Sequence, residues 1–266
     1  MARKVIIDCD VGVDDALALI LAFHSPEIEV QAVTGVNGNV PLDLVFANIQ
    51  KVLSLVRPSH KPWIARGADR PLTGQGANAH DVHGGNGLGG AVIRDYGKKE
   101  WWKSFPRPAQ ELICETASAN PGAVTLITLG PLTNLALALD HDPEAVKALR
   151  EIVIMGGAVR TRGNITPHAE FNICVDPLAA SRVFSIGLPI RLVPLDVTRQ
   201  VALTPAVLPD LMAMEWTELR VVTEPGERCG KTEEVKNEKP GGGRINVGFK
   251  VNAEEFLNLF ISRIKE

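Results

Sequence analysis

Along the chain, short continuous apolar runs alternate with segments in which apolar residues recur every three to four positions. Residues 4–9 (KVIIDC) read as a buried strand and 13–24 (VDDALALILAFH) as a helix. A second strand follows at 29–34 and a second helix at 42–56. The alternation resumes with a strand at 124–129, a helix from Leu132, a strand at 151–155, a helix from Pro177 and a strand at 190–195. Strands that are apolar throughout, each followed by a helix, belong to parallel sheets covered on both sides. The pattern therefore predicts an α/β fold: an open, mostly parallel sheet with helices on both faces. Right-handed crossovers place all strand C-terminal ends on one edge, where such sheets bind ligands.

The polar and glycine-rich segments gather at that edge: 8–15, 35–39, 130–134 and 156–172, each after a predicted strand. Residues 66–108 hold many glycines, His80, His83 and the pair Trp101-Trp102 without clear periodicity, which suits a functional loop or flap. The last portion has a strand-like 219–223, a polar linker through Gly243, a strand at 244–251 and a helix from Ala253. It forms a small C-terminal strand-helix extension, with the Pro-Gly-Gly-Gly at 240–243 as a turn. No repeat or composition break interrupts residues 1–266, which are expected to form a single domain.

Composition narrows the function classes. A net charge of −3 provides no basic field for a polyanion, which argues against nucleic acid as the main ligand. No apolar run is long and charge-free enough to span a bilayer, and the N-terminus has no secretory pattern. Cys9, Cys114, Cys174 and Cys229 are scattered without metal-ligand spacing, as expected of small buried hydrophobes in a reducing compartment. The expectation is a cytoplasmic protein with no membrane partner.

The segment D-C-D-V-G-V-D-D places Asp8 at a strand end, Asp10 in the turn, and Asp14 and Asp15 in the first helical turn. Capping and the helix dipole explain one or two acids there. Four carboxylates in so short a stretch would repel and partly protonate without a cation. A hard cation, Ca2+ or Mg2+, resolves the repulsion, and carboxylate-rich flexible loops lean towards Ca2+. A D-x-D after an apolar strand is also similar to the nucleophile loop of haloacid-dehalogenase-like phosphatases. There Asp8 would attack phosphorus with Asp10 as acid, using Mg2+. The late acidic pair that pattern requires is absent.

Several ordered motifs accompany the aspartates: V-N-G-N ending at Asn39, V-H-G-G-N-G-L-G around His83, and L-G-P-L-T-N at 129–134. M-G-G…G-N…A-E-F-N over 155–172 and V-D-P-L-A-A follow. Together with the D-x-D-x-x-x-D-D opening, the sequence resembles the inosine-uridine-preferring nucleoside hydrolase family. The resemblance runs from residue 4 to about residue 205 and implies a Rossmann-like nucleoside hydrolase fold. It also implies a nucleoside-salvage hydrolase that cleaves the N-glycosidic bond of ribonucleosides to ribose and free base, using a Ca2+-bound water. Asp10, Asp15 and the Leu129 carbonyl would hold Ca2+, with Asp14 touching both the metal surroundings and the ribose. Asp10 would be the general base and Asp8 a supporting carboxylate. Asn39, Asn164, Glu170 and Asn172 would clamp the ribose, and a homodimer or homotetramer is implied.

The residues also admit plainer roles. Asn39 and Asn164 follow glycines and could be turn residues. Glu170 and Asn172 flank Phe171 with strand-like alternation and could be the polar face of an edge segment. Asn134 reads as a cap or buttress, and Asp176 as the cap of the next helix. His83 is the histidine candidate for protonating or stacking on the base. The family pattern also carries a late H-D-P motif, supplying a further aspartate to the metal and a histidine near the base. This sequence has none in its C-terminal third; after a briefly helical stretch to Met214 it passes at once to W-T-E-L-R-V-V-T-E. A catalytically impaired paralogue that binds nucleoside or ribose is therefore the competing expectation.

Overall fold

The structure is a computed structural model, and it describes residues 2–73, 76–93, 99–201, 213–221, 223, 226, 228–234, 244–251 and 253–264. Strand β1 (Arg3–Cys9) sets the architecture. Its Val5, Ile7 and Cys9 pack into one core cluster, while Ile6 between them packs into another. A strand buried on both faces has no use for polar alternation, which is why KVIIDC reads as a continuous apolar run. Ile6 is fully buried, and truncating it to alanine would cost about 2–5 kcal/mol.

The first half of the chain then builds outward with α1 (Val13–Phe23), β2 (Ile28–Gly35), α2 (Leu42–Val56), β3 (Trp63–Arg66), the one-turn helix α3 (His80–His83) and β4 (Lys103–Ser104). Helix α4 (Ala109–Ala119) returns the chain to β5 (Val124–Thr128), followed by α5 (Thr133–His141), α6 (Pro143–Lys147) and β6 (Glu151–Met155). Then come α7 (Phe171–Val175), α8 (Pro177–Phe184), β7 (Ile190–Val193) and α9 (Leu195–Thr198). The last elements are β8 (Ala213–Val221), β9 (Thr232–Glu234), β10 (Arg244–Lys250) and α10 (Ala253–Ile264).

The strand order is β4-β3-β2-β1-β5-β6-β7-β10-β8-β9. Every neighbouring pair from β4 to β10 is parallel, and β8 and β9 add to that edge antiparallel. Leu19, Val45, Ile49 and Leu53 of α1 and α2 cover one face of β1–β3; Leu112, Leu135 and Val183 of α4, α5 and α8 cover the other face. The chain moves one way from β1 to β4 and then resumes at β5 on the other flank of β1. The strand order thus reverses between β1 and β5, and the loops leaving their C-terminal ends part to form a crevice.

The predicted open parallel sheet with helices on both faces is the observed architecture. Differences lie where elements are short or distant. β3 has only four residues, too few to show a period, and α4 (AQELICETASA) was not distinguished within its surroundings. The loop-rich 66–108 segment contains α3 and β4. The C-terminal extension is part of the sheet, because β10 pairs in parallel with β7 through Ile245↔Ile190 and Val247↔Leu192. The predicted helical stretch before Met214 falls mostly outside the described residues, and Ala213 and Met214 themselves begin β8.

Candidate active site

Asp8 lies inside β1, paired to Thr34 of β2 and Thr128 of β5. Its Oδ1 accepts from the Thr34 hydroxyl and, at 2.8 Å, from the Asn134 amide. That amide also donates to the Gly35 carbonyl at 3.1 Å, while Asn134 Oδ1 accepts from the Ala68 N–H at 2.8 Å. Asn134 is therefore a buttress behind the loops and makes no side-chain cap to α5. Burial pushes the Asp8 carboxyl up to about 6, against two hydrogen bonds that lower it. With Oδ1 held by Thr34 and Asn134, Asp8 is placed as a supporting carboxylate behind the loop.

Asp10 leaves the strand into the crevice. Its Oδ2 accepts the Asn39 backbone N–H at 2.7 Å, and its Oδ1 accepts the Asn39 amide at 3.1 Å. The same amide nitrogen donates to Asp15 Oδ2 at 3.2 Å, so one asparagine joins two carboxylates. Asp15 Oδ2 also takes the Gly12 N–H at 2.9 Å at the start of α1. Asp15 Oδ1 and Asp8 Oδ2 are buried and have no hydrogen-bond partner among the described residues. Burial and then the charge of Asp15 push Asp10 well above the carboxylate range. Burial and then Asp14 push Asp15 up to about 7.

The glycines here answer to close approach. A Cβ on Gly38 would sit 2.0 Å from Asp10 Oδ2, and one on Gly130 would sit 3.0 Å from Asp10 Cγ. Gly12 has φ −83, open to any residue, so its role is not a special bend. It is glycine because a Cβ would meet His83 Nδ1 at 2.6 Å and Asn39 Nδ2 at 2.8 Å.

His83 ends α3 and is buried against the start of α1. Its Nδ1 accepts from the Val13 N–H at 3.2 Å and lies 3.7 Å from Asp14 Oδ1. With Nδ1 accepting, the neutral ring carries its proton on Nε2, leaving a donor. Asp14 is exposed, with four-fifths of its side chain accessible (80%). Trp101 and Trp102 pack against the α1–α2 core cluster, as flap packing would require.

Across the crevice, α7 carries the other candidates. Glu170 is its N-cap: Oε1 accepts Asn172 N–H at 3.0 Å, and Oε2 accepts Ile173 N–H at 3.1 Å and Gly157 N–H at 2.9 Å. Burial raises its pKa against these three bonds. The strand-like spacing of Glu170 and Asn172 is thus a cap and the first turn of a helix, not an edge segment. The Asn172 amide donates to the Leu129 carbonyl at 2.7 Å and to the Met155 carbonyl at 3.2 Å. Asn164 is exposed, and its Oδ1 accepts the Phe171 N–H at 2.9 Å, bracing the same helix start. Asp176 caps α8 through Ala179 N–H at 3.1 Å, as expected, and also accepts from Thr133 and Leu72.

The two walls meet at 129–130. Leu129 N–H donates to the Asp8 carbonyl at 2.7 Å, Gly130 packs on Asp10, and the Leu129 carbonyl faces Asn172. Asp10, Asp15, Asn39, His83, Leu129, Asn172 and Glu170 therefore form one connected constellation at the β1/β5 crevice, with Asp14 and Asn164 at its exposed margins. Among the described residues no three His, Cys, Asp or Glu side chains group as a metal cage. What fits a divalent cation is narrower: two buried carboxylates joined by one amide, one of them with an oxygen that has no partner among the described residues. Gly38 and Gly130 stand inside the V-N-G-N and L-G-P-L-T-N motifs, but their close approach to Asp10, like the Thr34 bond to Asp8, leaves no signal in the sequence.

The sequence pattern of the inosine-uridine preferring nucleoside hydrolase family matches residues 5–238. The chain belongs to this family. Among relatives, it is 46% identical over 198 residues to an uncharacterised protein of Schizosaccharomyces pombe, covering 74% of this chain and 62% of that protein. It is 43% identical over 203 residues to the pyrimidine-specific ribonucleoside hydrolase RihA of Salmonella arizonae, covering 75% of this chain and 62% of the relative. The match thus spans 62% of the length of these relatives. Among solved structures, a plant nucleoside hydrolase superposes with a TM-score of 0.88 at 28% identity, covering 99% of each chain. A purine-preferring ribonucleoside hydrolase from Gardnerella vaginalis gives 0.87 at 28% identity, covering 98% of each. No helix among the described residues is long and apolar enough to cross a membrane.

Proposed function

We propose that this nucleoside hydrolase family member cleaves the N-glycosidic bond of ribonucleosides, releasing ribose and free base, and that it depends on Ca2+. The observation that carries this reading is the buried Asp10–Asp15 pair bridged by one Asn39 amide, with Asp15 Oδ1 lacking a partner among the described residues. Two carboxylates raised in this way stay ionised at neutral pH only beside a positive charge. Asp10, Asp15 and the Leu129 carbonyl are the groups that would hold it. When bound, Ca2+ supplies charge that lowers the pKa of neighbouring water.

The chain's own groups account for the remaining chemistry. Asp10 takes the proton of the attacking water, and Asn39 holds both of its oxygens in place. Asp14, Asn39, Asn164, Glu170 and Asn172 bind the ribose hydroxyls, which both donate and accept. Carboxylates close to the sugar favour the positive charge that builds at the anomeric carbon as the bond breaks. Nε2–H of His83 donates to the departing base. Glu170 and Asn172 are engaged with backbone groups, so ribose binding includes exchange of those bonds for ribose hydroxyls.

A second reading, nucleoside or ribose binding without turnover, is favoured by the lack of an H-D-P motif in the C-terminal third and of a third metal-grouped carboxylate among the described residues. One experiment separates the two. Purified protein is incubated with purine and pyrimidine ribonucleosides, with Ca2+ or with chelator, and reducing sugar is measured. Chelator-sensitive ribose release supports hydrolysis. Ligand binding without sugar release supports the second reading and rejects the first.

A further inference from the structure

The cysteines divide into two groups. Cys9 and Cys114 are buried in the two cores, whereas Cys174 and Cys229 are partly accessible and belong to neither. Cys174 lies in α7, the helix capped by Glu170 and carrying Asn172. Cys229 lies in the turn that leads from β8 to β9.

That turn folds onto α7 and the loop before it. Lys231 makes an isolated antiparallel bridge to Ala169, and a Cβ on Gly157 would sit 3.0 Å from Thr232 Oγ1. Gly230, at φ +80, presses closest: a Cβ there would lie 2.7 Å from Cys174 Cα and 3.3 Å from Cys174 Cβ. Adding one carbon–carbon bond puts the Cα atoms of Gly230 and Cys174 within about 4.2 Å of each other. One further peptide step of about 3.8 Å bounds the Cys174–Cys229 Cα separation at about 8 Å. That bound contains the roughly 4.4–6.8 Å range of disulfides. Burial, followed by the charge of Cys229, raises the Cys174 pKa.

We propose that Cys174 and Cys229 form a dithiol site that a hydroperoxide closes into an intramolecular disulfide, clamping the turn to the wall of the crevice that bears Glu170 and Asn172. One thiolate attacks the peroxide oxygen, giving a sulfenic acid and releasing alcohol or water. The second thiolate attacks that sulfur, forming the S–S bond and expelling hydroxide, which leaves as water. Two thiols and one hydroperoxide thus give one disulfide, one alcohol or water, and one water. The bond closes a loop of about 55 residues and ties the C-terminal strands to α7. The proposal does not depend on the nucleoside reading, because its readouts are mass, thiols and stability.

The test treats the full chain with hydrogen peroxide, beside a sample held in a phosphine reductant. The expected result is a monomer lighter by about 2 Da with two fewer titratable thiols, reversed by dithiothreitol. A non-reduced tryptic map should join the Cys174 and Cys229 peptides, and the melting temperature should rise by on the order of 5 °C. Cys229→Ser, in a surface turn, should abolish all of these; Cys174→Ser should do the same if it folds. Retention of four titratable thiols would overturn the proposal. So would stepwise oxygen addition without the 2 Da loss, a disulfide mapped to Cys9 or Cys114, or a disulfide between two chains.

Discussion

Asn134 Nδ2 donates 2.8 Å to Asp8 Oδ1, joining the first turn of α5 to the middle of the sheet directly behind the Asp10 loop. The same side chain holds Gly35 and Ala68, so one amide ties the ends of β1, β2 and β3 together. Asn134→Ala removes all three bonds without adding bulk. It should destabilise by about 2–4 kcal/mol, because a buried carboxylate and two backbone groups lose partners. Urea denaturation measures this; an unchanged midpoint would mean the three bonds carry no net stability.

Gly38 is the residue on which Asp10 rests. Gly38→Ala places a methyl where Asp10 Oδ2 now sits, so the carboxylate must turn away from Asn39 and Asp15. Calorimetric Ca2+ titration should show affinity reduced by at least about 10-fold, with far-ultraviolet circular dichroism unchanged. Wild-type affinity in the variant would place the cation elsewhere.

The acidic cluster makes stability depend on pH in a definite sense when chelator is present. Asp8 is raised to about 6 and Asp15 to about 7 from an ordinary 3.8, so the folded chain binds these protons more tightly than the unfolded chain. Their contribution is complete below about pH 4 and is lost as pH rises through 6 and 7. Melting temperature in chelator should therefore fall between pH 5 and pH 8, and Ca2+ should restore it at pH 8. Asp15→Asn should flatten the fall. A chelated protein equally stable at both pH values, with or without Asp15, would contradict this assignment.

His83 separates leaving-group chemistry from packing. His83→Ala leaves the Val13 N–H without its acceptor, a loss that also touches the start of α1. If Nε2–H donates to the base, kcat on natural nucleosides should fall by about 100-fold while a substrate with a good leaving group is nearly unaffected. An equal loss on both substrates would assign His83 to positioning α1 alone.

Much of the fold was legible because burial on two faces leaves a mark on adjacent residues. Val5, Ile6 and Ile7 are all apolar since they serve two cores, and the bounds of α2 and β6 follow from local periodicity. β3 leaves no mark because four residues carry no period, and the α4 stripe of Ala109, Leu112, Ile113 and Ala117 is half alanine, a weak hydrophobic signal beside the loop-rich segment before it. At the site, the crowding of Asp8, Asp10, Asp14 and Asp15 is a local fact, and the need of such a group for a positive charge follows from electrostatics alone. Which acid does what is not local. Asp8 lies within β1 and takes Asn134 and Thr34, whereas Asp10 lies past the strand end and comes with Asp15 under one Asn39 amide. Those partners lie far away in sequence, and the pairings exist because β1 lies between β2, which brings Thr34 and Asn39, and β5, which brings Asn134. The sequence by itself determined the sheet and the acidic loop, since both arise from neighbouring residues. The tertiary structure alone decided the partners of each carboxylate, since hydrogen bonds between distant segments require the crossovers that bring strand ends to one edge.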